Sequence, residues 1–187
     1  MVHIMSLWLP IVVSAVVVFF ASFLIHMVLG YHRADYKKLA DENGVMDALR
    51  KFNIAPGDYL TPCAGSAKEM KDPAFQEKWS KGPVFIMTIM KPGPPSMGGQ
   101  LGQWFLYCLL VGVFSAYLAG RALPAGAPYL AAFRFAGTAA FLSYAMALPP
   151  YSIWYKRSWA TTLRGMFDGL VYGCLTGGVF GWLWPHG

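Results

Sequence analysis

Residues 165–182 read GMFDGLVYGCLTGGVFGW and form the last apolar stretch of the chain. Glycine recurs there at every fourth position, as Gly165, Gly169, Gly173, Gly177 and Gly181. Positions four apart lie on one face of an α-helix, so these glycines predict a groove without side chains that a neighbouring helix can approach closely. The stretch therefore predicts tight helix packing of the glycine-zipper kind and indicates no chemistry.

The composition places the chain outside the usual range of soluble proteins. Of its 187 residues, 56% are hydrophobic and only 13% are charged, whereas about 25% are charged in typical soluble domains. Crossing the hydrocarbon layer takes about 20 apolar residues in a helix. Four stretches come close to that length, over about residues 8–30, 101–120, 128–148 and 165–184.

We therefore predict an all-α integral membrane protein with four transmembrane helices. The predicted organisation has an outer N-terminus and first helix over residues 1–30, a cytoplasmic segment of about 70 residues over 31–100, and a three-helix transmembrane unit over 101–187. The first stretch lacks a basic leader and a small-residue cleavage site, so we expect it to be a retained anchor.

The basic residues predict the orientation. Ten of the fifteen Lys and Arg residues lie between residues 31 and 100, and Lys156, Arg157 and Arg164 lie in the next loop on the same side. The positive-inside rule then places both loops in the cytoplasm and both termini on the periplasmic side of a bacterial inner membrane. Eight acidic residues offset the ten basic ones in the long segment, which disfavours nucleic acid and favours lipid headgroups as partners.

The cytoplasmic segment has a weaker pattern than the spans. Residues 34–52 carry apolar side chains at helical spacing, loosened at Asn43 and Gly44, and predict an amphipathic helix on the membrane or the bundle, or else a solvated continuation of the first span. Asp72 and Pro73 predict the cap and first residue of a helix that runs through Trp79. The apolar run over residues 84–90 has strand length, and it either pairs with the strip near Tyr59 or is covered by a partner protein.

Four polar residues within the spans are the candidates for function, namely His26, Arg134, Asp168 and Tyr172. Asp168 lies in the first turn of the last span, four residues after Arg164, so support of the helix terminus is the favoured role. His26 has nearly the same predicted depth and can hydrogen-bond Asp168. Arg134 can extend to outer headgroups or pair with an acid of a partner protein. Tyr172 can hydrogen-bond across helices.

The other histidines, His3, His32 and His186, are predicted to lie outside the hydrocarbon layer, so a haem held by two histidines is disfavoured. A pigment or haem held by His26 alone stays open. The sequence contains no cluster of metal ligands and no nucleophile with a neighbouring base, so we expect no catalytic residue, metal or cofactor.

The glycine row drifts by about 40° with each four-residue step, which predicts that no single straight helix can follow all five glycines. Two neighbours are then needed. Small residues at the same spacing occur in the second span, as Gly112, Ala116 and Gly120, and in the third, as Ala132, Ala136 and Ala140.

Several strings resemble a family of small bacterial membrane proteins with four helices and no assigned activity. They are Pro56 to Tyr59 with Pro62, Gly82-Pro83, Pro95 to Gly98, Ser152 to Trp154, Asp168 to Tyr172 and Phe180 to Pro185. The resemblance covers most of the chain. It implies a bacterial inner membrane and identifies no catalytic residue.

Two function classes follow from these patterns. The first is a non-catalytic accessory subunit of a larger respiratory or photosynthetic membrane complex, with other membrane subunits as partners. The second is a small transporter, channel or membrane-bound enzyme that uses His26 and Asp168 near the cytoplasmic face. The absence of a polar path at mid-membrane depth in the sequence favours the first.

Overall fold

The structure is a computed structural model that describes residues 1–94 and 96–186, so Pro95 and Gly187 lie outside the described residues. The chain divides into two compact units. The first, called the helical unit, combines Met1–Lys37 with the chain from Ser96 onward; the second, called the intervening segment, begins at Lys38. The elements in chain order are α1 (Trp8–Phe23), α2 (Glu42–Arg50), β1 (Gly57–Thr61), α3 (Ala67–Met70), α4 (Pro73–Lys81), β2 (Phe85–Ile89), α5 (Gly98–Ala122), α6 (Tyr129–Ala145), α7 (Pro149–Tyr155) and α8 (Trp159–Trp182).

Among the described residues, three helices, not four, are long and apolar enough to cross a membrane. They are Ile4–Leu29, Gly98–Ala122 and Tyr129–Tyr155. The predicted fourth span, over residues 165–184, falls largely within α8, whose glycines add no hydrocarbon and whose Arg164 and Asp168 are charged. The prediction of four transmembrane helices is therefore wrong. An all-α fold is also wrong, because the intervening segment contains a two-stranded sheet.

The four long helices of the helical unit form a bundle. Helix α1 contacts α5 and α8, and α6 contacts the same two helices. Ten residues of α8 are buried, including Asp168, Tyr172 and Phe180. Such a helix can keep polar groups and glycines because its neighbours, rather than lipid, surround much of its surface.

The glycine row of α8 packs along one helix from end to end. Gly165 faces Leu148 just beyond α6, Gly169 faces Ala145, and Gly181 faces Tyr129 at the opposite end of α6. The prediction that two neighbours must share the row is wrong. The physical reason is that the facing residues of α6 also recur in steps of four, so both contact rows drift together and stay in register.

The small residues of α5 pack against the N-terminal part of the chain. A Cβ added to Gly112 would lie 3.2 Å from the carbonyl oxygen of Ile11, and one added to Gly120 would lie 2.8 Å from that of Val2. Ala116 lies between them and is fully buried in the same core cluster as Leu7 and Ile11. These positions therefore fit α5 to the N-terminal part of the chain and not to α8.

The intervening segment follows the sequence pattern in part. Helix α2 begins at Glu42, where the side chain of Asp41 accepts a hydrogen bond from the Gly44 amide, and not near residue 34. The prediction for α4 is confirmed, with Asp72 as the cap and Pro73 in the first turn. The strand pairing is confirmed as well, because β1 and β2 are antiparallel with Tyr59 opposite Met87.

Candidate functional site

A cluster of polar side chains lies where the first span ends and α8 begins. After α1 the chain forms a π-helical turn over Leu24–Leu29 and then reverses at Gly30, whose φ of 66° lies in the left-handed region. Glycine adopts this conformation without the steric cost that a Cβ would bring. The following 3-10 turn, Tyr31–Asp35, contacts α8. The reversal thus brings Tyr31 and His32 to Asp168.

Asp168 is the centre of this polar cluster and is only 4% exposed. The hydroxyl of Tyr31 donates to its Oδ1 atom, and Nε2 of His32 lies 2.7 Å from its Oδ2 atom. A carboxylate buried to this extent is costly unless it is paired and hydrogen-bonded. Both of its oxygens have such a partner.

Asp35 continues the chain of contacts on the far side of the His32 ring. Its Oδ2 atom lies 2.6 Å from Nδ1 of His32, and the guanidinium of Arg164 donates to its Oδ1 atom. An ionised carboxylate can only accept, so both ring nitrogens of His32 carry a hydrogen when both aspartates are ionised. The row Asp168, His32, Asp35 and Arg164 therefore alternates acceptors with donors.

The surroundings change the pKa values of two members of the cluster. Burial, followed by the hydrogen bond to Asp168 and its charge, raises the pKa of Tyr31 above its ordinary value, so the phenol stays a donor. Burial alone would raise the pKa of Asp35. The hydrogen bond from His32 and the charges of His32 and Arg164 outweigh it and hold that pKa below the ordinary value.

His26 completes a set of three potential metal ligands. Its ring centroid lies 4.4 Å from that of His32. The ligand atoms of His26, His32 and Asp168 all lie within 4.8 Å of one another. His26 belongs to the π-helical turn, a local widening of the helix that is common at functional sites.

The three side chains and their neighbours fit a metal in both kind and arrangement. Ligand atoms about 2.0–2.2 Å from a tetrahedral metal lie about 3.4 Å apart, so the three side chains would have to close in from their present separations of up to 4.8 Å to bind one. A metal would then replace the hydrogen between His32 and Asp168. Metal-bound histidines usually donate their second ring N–H to a carboxylate, and Asp35 already holds that position at Nδ1 of His32.

A cavity of about 370 Å³ adjoins this cluster. His26, His32 and Asp168 lie on its wall. Four aromatic residues form part of the remaining wall, Trp104, Tyr107, Tyr144 and Tyr172, and their neighbouring ring centroids lie 5.4 to 6.0 Å apart. Arg157, Thr161 and Thr162 add polar groups, so the wall combines aromatic rings with polar side chains beside the potential ligands.

Tyr172, whose ring lines this cavity, carries a buried polar group without a partner among the described residues. The residue is only 4% exposed, and among the described residues its hydroxyl has no hydrogen-bond partner. A buried hydroxyl without a partner costs about 1–3 kcal/mol. Because the hydroxyl itself exposes less than 1 Å², it lies behind the wall of the cavity and not on its surface.

We expect Tyr172→Phe to leave the metal-free, ligand-free protein as stable as the wild type, or more stable by up to about 3 kcal/mol. The phenylalanine keeps the ring contacts and removes the unpaired hydroxyl. Denaturant titration in detergent measures the change, with Tyr107→Phe as the control because the Tyr107 hydroxyl donates to the Ser143 carbonyl oxygen at 2.8 Å. A loss of stability at Tyr172 as large as that at Tyr107 would contradict the unpaired state of the hydroxyl.

The structure brings together only part of the predicted set. Asp168, His26 and Tyr172 share the cavity, whereas Arg134 is exposed on α6, and among the described residues it forms no ion pair. Arg164 pairs with Asp35 and not with Asp168, which corrects the predicted contact four residues apart. The predicted partner of Asp168 is also corrected, from His26 to His32.

Sequence reasoning missed Tyr31, His32 and Asp35. The signal was present, because His32 and Asp35 have the three-residue spacing of one helical turn and follow a span that ends in glycine. The sequence pattern predicts that these residues lie in a loop outside the hydrocarbon layer. The reversal at Gly30, which returns them to α8, has no signature in hydropathy.

Comparison of the chain with protein-family models, with curated proteins and with solved structures finds no match. The resemblance to a family of small bacterial membrane proteins therefore stays a prediction.

Proposed function

We propose that this protein is a membrane metalloprotein in which His26, His32 and Asp168 bind one divalent transition-metal ion. The observation that supports the proposal is the mutual approach of their ligand atoms to within 4.8 Å. Two imidazole nitrogens and one carboxylate oxygen form a ligand set that zinc and iron(II) both accept. This proposal replaces the expectation that the chain has no metal.

The number of ligands favours a reactive site over a structural one. Structural zinc sites are usually closed by four protein ligands, whereas catalytic sites keep three and leave a position for water or substrate. The three ligands here line the cavity of about 370 Å³, so a bound metal would lie beside space that a small molecule can enter. A bound metal would supply a Lewis acid or an activated water at that position.

The neighbouring residues support the ligands in the way that metal sites require. Asp35 fixes the ring of His32 through Nδ1 and is itself held by Arg164. Tyr31 holds the Oδ1 atom of Asp168 and leaves Oδ2 for the metal. Outer contacts of this kind orient the ligands, and their loss typically costs about 10–100-fold in metal affinity.

The substrate side of the site is defined by the aromatic part of the wall, to which Tyr172 contributes its ring. A molecule that fills the cavity packs against Trp104 and Tyr144. We therefore favour a metal-dependent enzyme that acts on a small, partly apolar molecule. This is the second of the two function classes that the sequence left open.

The test is metal binding by the full-length protein in mild detergent. We expect one zinc or iron ion per chain by elemental analysis. After chelation, we expect cobalt(II) to restore a site with visible absorption bands.

His26→Gln is the most informative variant. The His26 side chain is exposed and, among the described residues, it makes no hydrogen bond whose loss would unfold the chain. We expect it and His32→Ala to weaken binding by more than 100-fold.

His3→Ala is the matched control, because His3 is also exposed and lies near the other end of α1. We expect it to bind metal like the wild type. Equal cobalt binding by the wild type and His26→Gln, with both folded by circular dichroism, would refute the site.

The membrane location and orientation belong to the same proposal. Three helices long and apolar enough to cross a membrane support an integral membrane protein. The distribution of Lys and Arg supports a bacterial inner membrane with both termini on the periplasmic side. The polar cluster is then near the cytoplasmic face.

An accessory subunit of a larger complex is the second candidate. The observation in its favour is an apolar pocket of the intervening segment, lined by Met70, Phe75 and Trp79, in which Met70 and Trp79 remain exposed. A partner subunit would cover such a surface. Stoichiometric proteins that copurify in mild detergent, together with an absence of bound metal, would favour this candidate.

A further inference from the structure

A groove of about 650 Å³ lies between α5 and α6, away from the polar cluster. Its apolar lining includes Leu118, Phe135 and Leu142, each about half exposed. Arg121 and Arg134 line the same groove, one from each helix. Both helices belong to segments apolar enough to cross a membrane, so the groove opens toward the space that lipid would occupy.

Among the described residues of the helical unit, neither arginine pairs with an acidic side chain. The only acidic residues of the helical unit are Asp35 and Asp168, and both belong to the polar cluster. Tyr107 of α5 lines the cavity beside that cluster. Arg121 lies fourteen positions further along the same helix, which corresponds to a rise of about 21 Å. Asp35 and Asp168 pair instead with Arg164 and His32, so they do not neutralise the two arginines of the groove.

The side chains leave the guanidinium groups available to an anion. The guanidinium of Arg121 lies 5.6 Å from the ring centroid of Tyr117, a cation–π contact that orients the group without neutralising it. Arg134 is exposed, and among the described residues it forms no ion pair. A guanidinium matches the oxygens of a phosphate group in geometry as well as in charge.

The apolar part of the groove has the dimensions of a lipid chain. Arg134 and Leu142 lie eight positions apart on α6, which corresponds to about 12 Å along the helix. One leaflet of the hydrocarbon layer is about 15 Å deep. A chain anchored at the arginines therefore runs beside Phe135 and Leu142 for most of the depth of one leaflet.

We propose that this groove binds one anionic phospholipid of the membrane. The phosphate lies between Arg121 and Arg134, and an acyl chain follows Leu118, Phe135 and Leu142. The proposal does not depend on the metal site, because the two share no residue. It extends the predicted role of Arg134, from a general approach to headgroups to one arm of a two-arginine site.

The experiment measures lipid retained by the full-length protein in detergent, using native mass spectrometry. The probes are phosphatidylglycerol and phosphatidylcholine with identical acyl chains, a fatty acid of the same chain length, and inorganic phosphate. We expect one phosphatidylglycerol per chain, with at least a tenfold preference over phosphatidylcholine. We also expect no displacement by millimolar phosphate.

The variant pair Arg121→Gln with Arg134→Gln is expected to abolish the preference, and the pair Arg121→Lys with Arg134→Lys to retain part of it. The matched control is Lys37→Gln with Lys156→Gln, which removes the same charge from exposed positions outside the groove and is expected to keep the preference. Circular dichroism establishes that each variant is folded.

Three outcomes would overturn the proposal. Equal retention of the two phospholipids would mean that the arginines only reach the headgroup layer in general. Displacement by inorganic phosphate would make the site one for a free anion, and equal binding of the fatty acid would remove the requirement for phosphate. Loss of the preference in the lysine control pair would show an effect of net charge alone.

Discussion

Replacing Gly177 by alanine is expected to destabilise the helical unit by about 1–3 kcal/mol, the usual cost of an overpacked core. A Cβ at this position would lie 2.7 Å from the carbonyl oxygen of Phe133, closer than real Cβ contacts come. The obstacle is backbone and cannot rotate away. Helices α6 and α8 would have to separate, and the separation would spread along the row of glycines.

Gly178 provides a control at the adjacent position of the same helix. Its added Cβ would meet only the Tyr129 hydroxyl, at an ordinary 3.6 Å. Alanine has a higher helix propensity than glycine by up to about 1 kcal/mol, so Gly178→Ala is expected to be neutral or stabilising. The same propensity acts at both sites, so the difference between the two variants measures the contact itself.

Unfolding in increasing amounts of denaturing detergent, followed by circular dichroism, gives the two stabilities. Gly177→Ala should lose helix earlier than the wild type, and Gly178→Ala should not. If both variants unfold like the wild type, the close approach of α6 and α8 at Gly177 is not present in the protein.

Asp168→Asn is expected to lower the affinity for zinc or cobalt by more than 100-fold and to leave the metal-free fold nearly unchanged. The carboxylate is the only anionic ligand of the proposed site, and the amide replaces it with a neutral, poorly donating group. The amide can still accept the hydrogen bond from Tyr31 and donate one to Nε2 of His32. His32 then keeps its remaining N–H toward Asp35, so the chain of contacts survives.

Competition with a coloured chelator measures the affinity, and the denaturant titration used for the glycine variants measures the stability. Unchanged affinity would exclude Asp168 as a ligand. A loss of stability as large as that of Gly177→Ala, again with unchanged affinity, would make Asp168 a structural support for the turn at Tyr31–Asp35. Either outcome would remove Asp168 from the proposed metal site.

The intervening segment illustrates how far local pattern extends. The cap at Asp72 with Pro73 and the strand length of residues 84–90 are local signals, and both are confirmed. The predicted start of α2 near residue 34 was wrong because the side chain of Asp41 caps the helix, which begins at Glu42. The helical spacing of apolar residues from residue 34 onward does not record that cap.

The count of spans was wrong for a different reason. The stretch over residues 165–184 is long enough to cross a membrane, yet its glycines and its charged residues give it too little hydropathy to qualify. These residues are suited to contact with other helices. The prediction of a fourth span combined the length of the stretch with the spacing of its glycines. Length favours a lipid environment, whereas the glycines favour contact with other helices.

The candidate site was also predicted only in part. The sequence identified His26, Asp168 and Tyr172 because each is polar within an apolar stretch, and all three line the cavity. It missed His32 and Asp35 because their importance depends on a reversal of the chain that returns them to α8. A hydrogen bond between residues 136 positions apart has no local signature.

The sequence by itself determined which stretches are helical and apolar, where glycine allows helices to approach, and which few polar residues are conspicuous, because these properties depend on composition and on spacing along one element. Only the tertiary structure decided that one helix faces the whole glycine row, that His32 and not His26 contacts Asp168, and that Arg121 and Arg134, which form no ion pair among the described residues, share a groove. The physical reason is that such contacts depend on the crossing of helices and the path of turns, which bring together side chains that are distant in the chain.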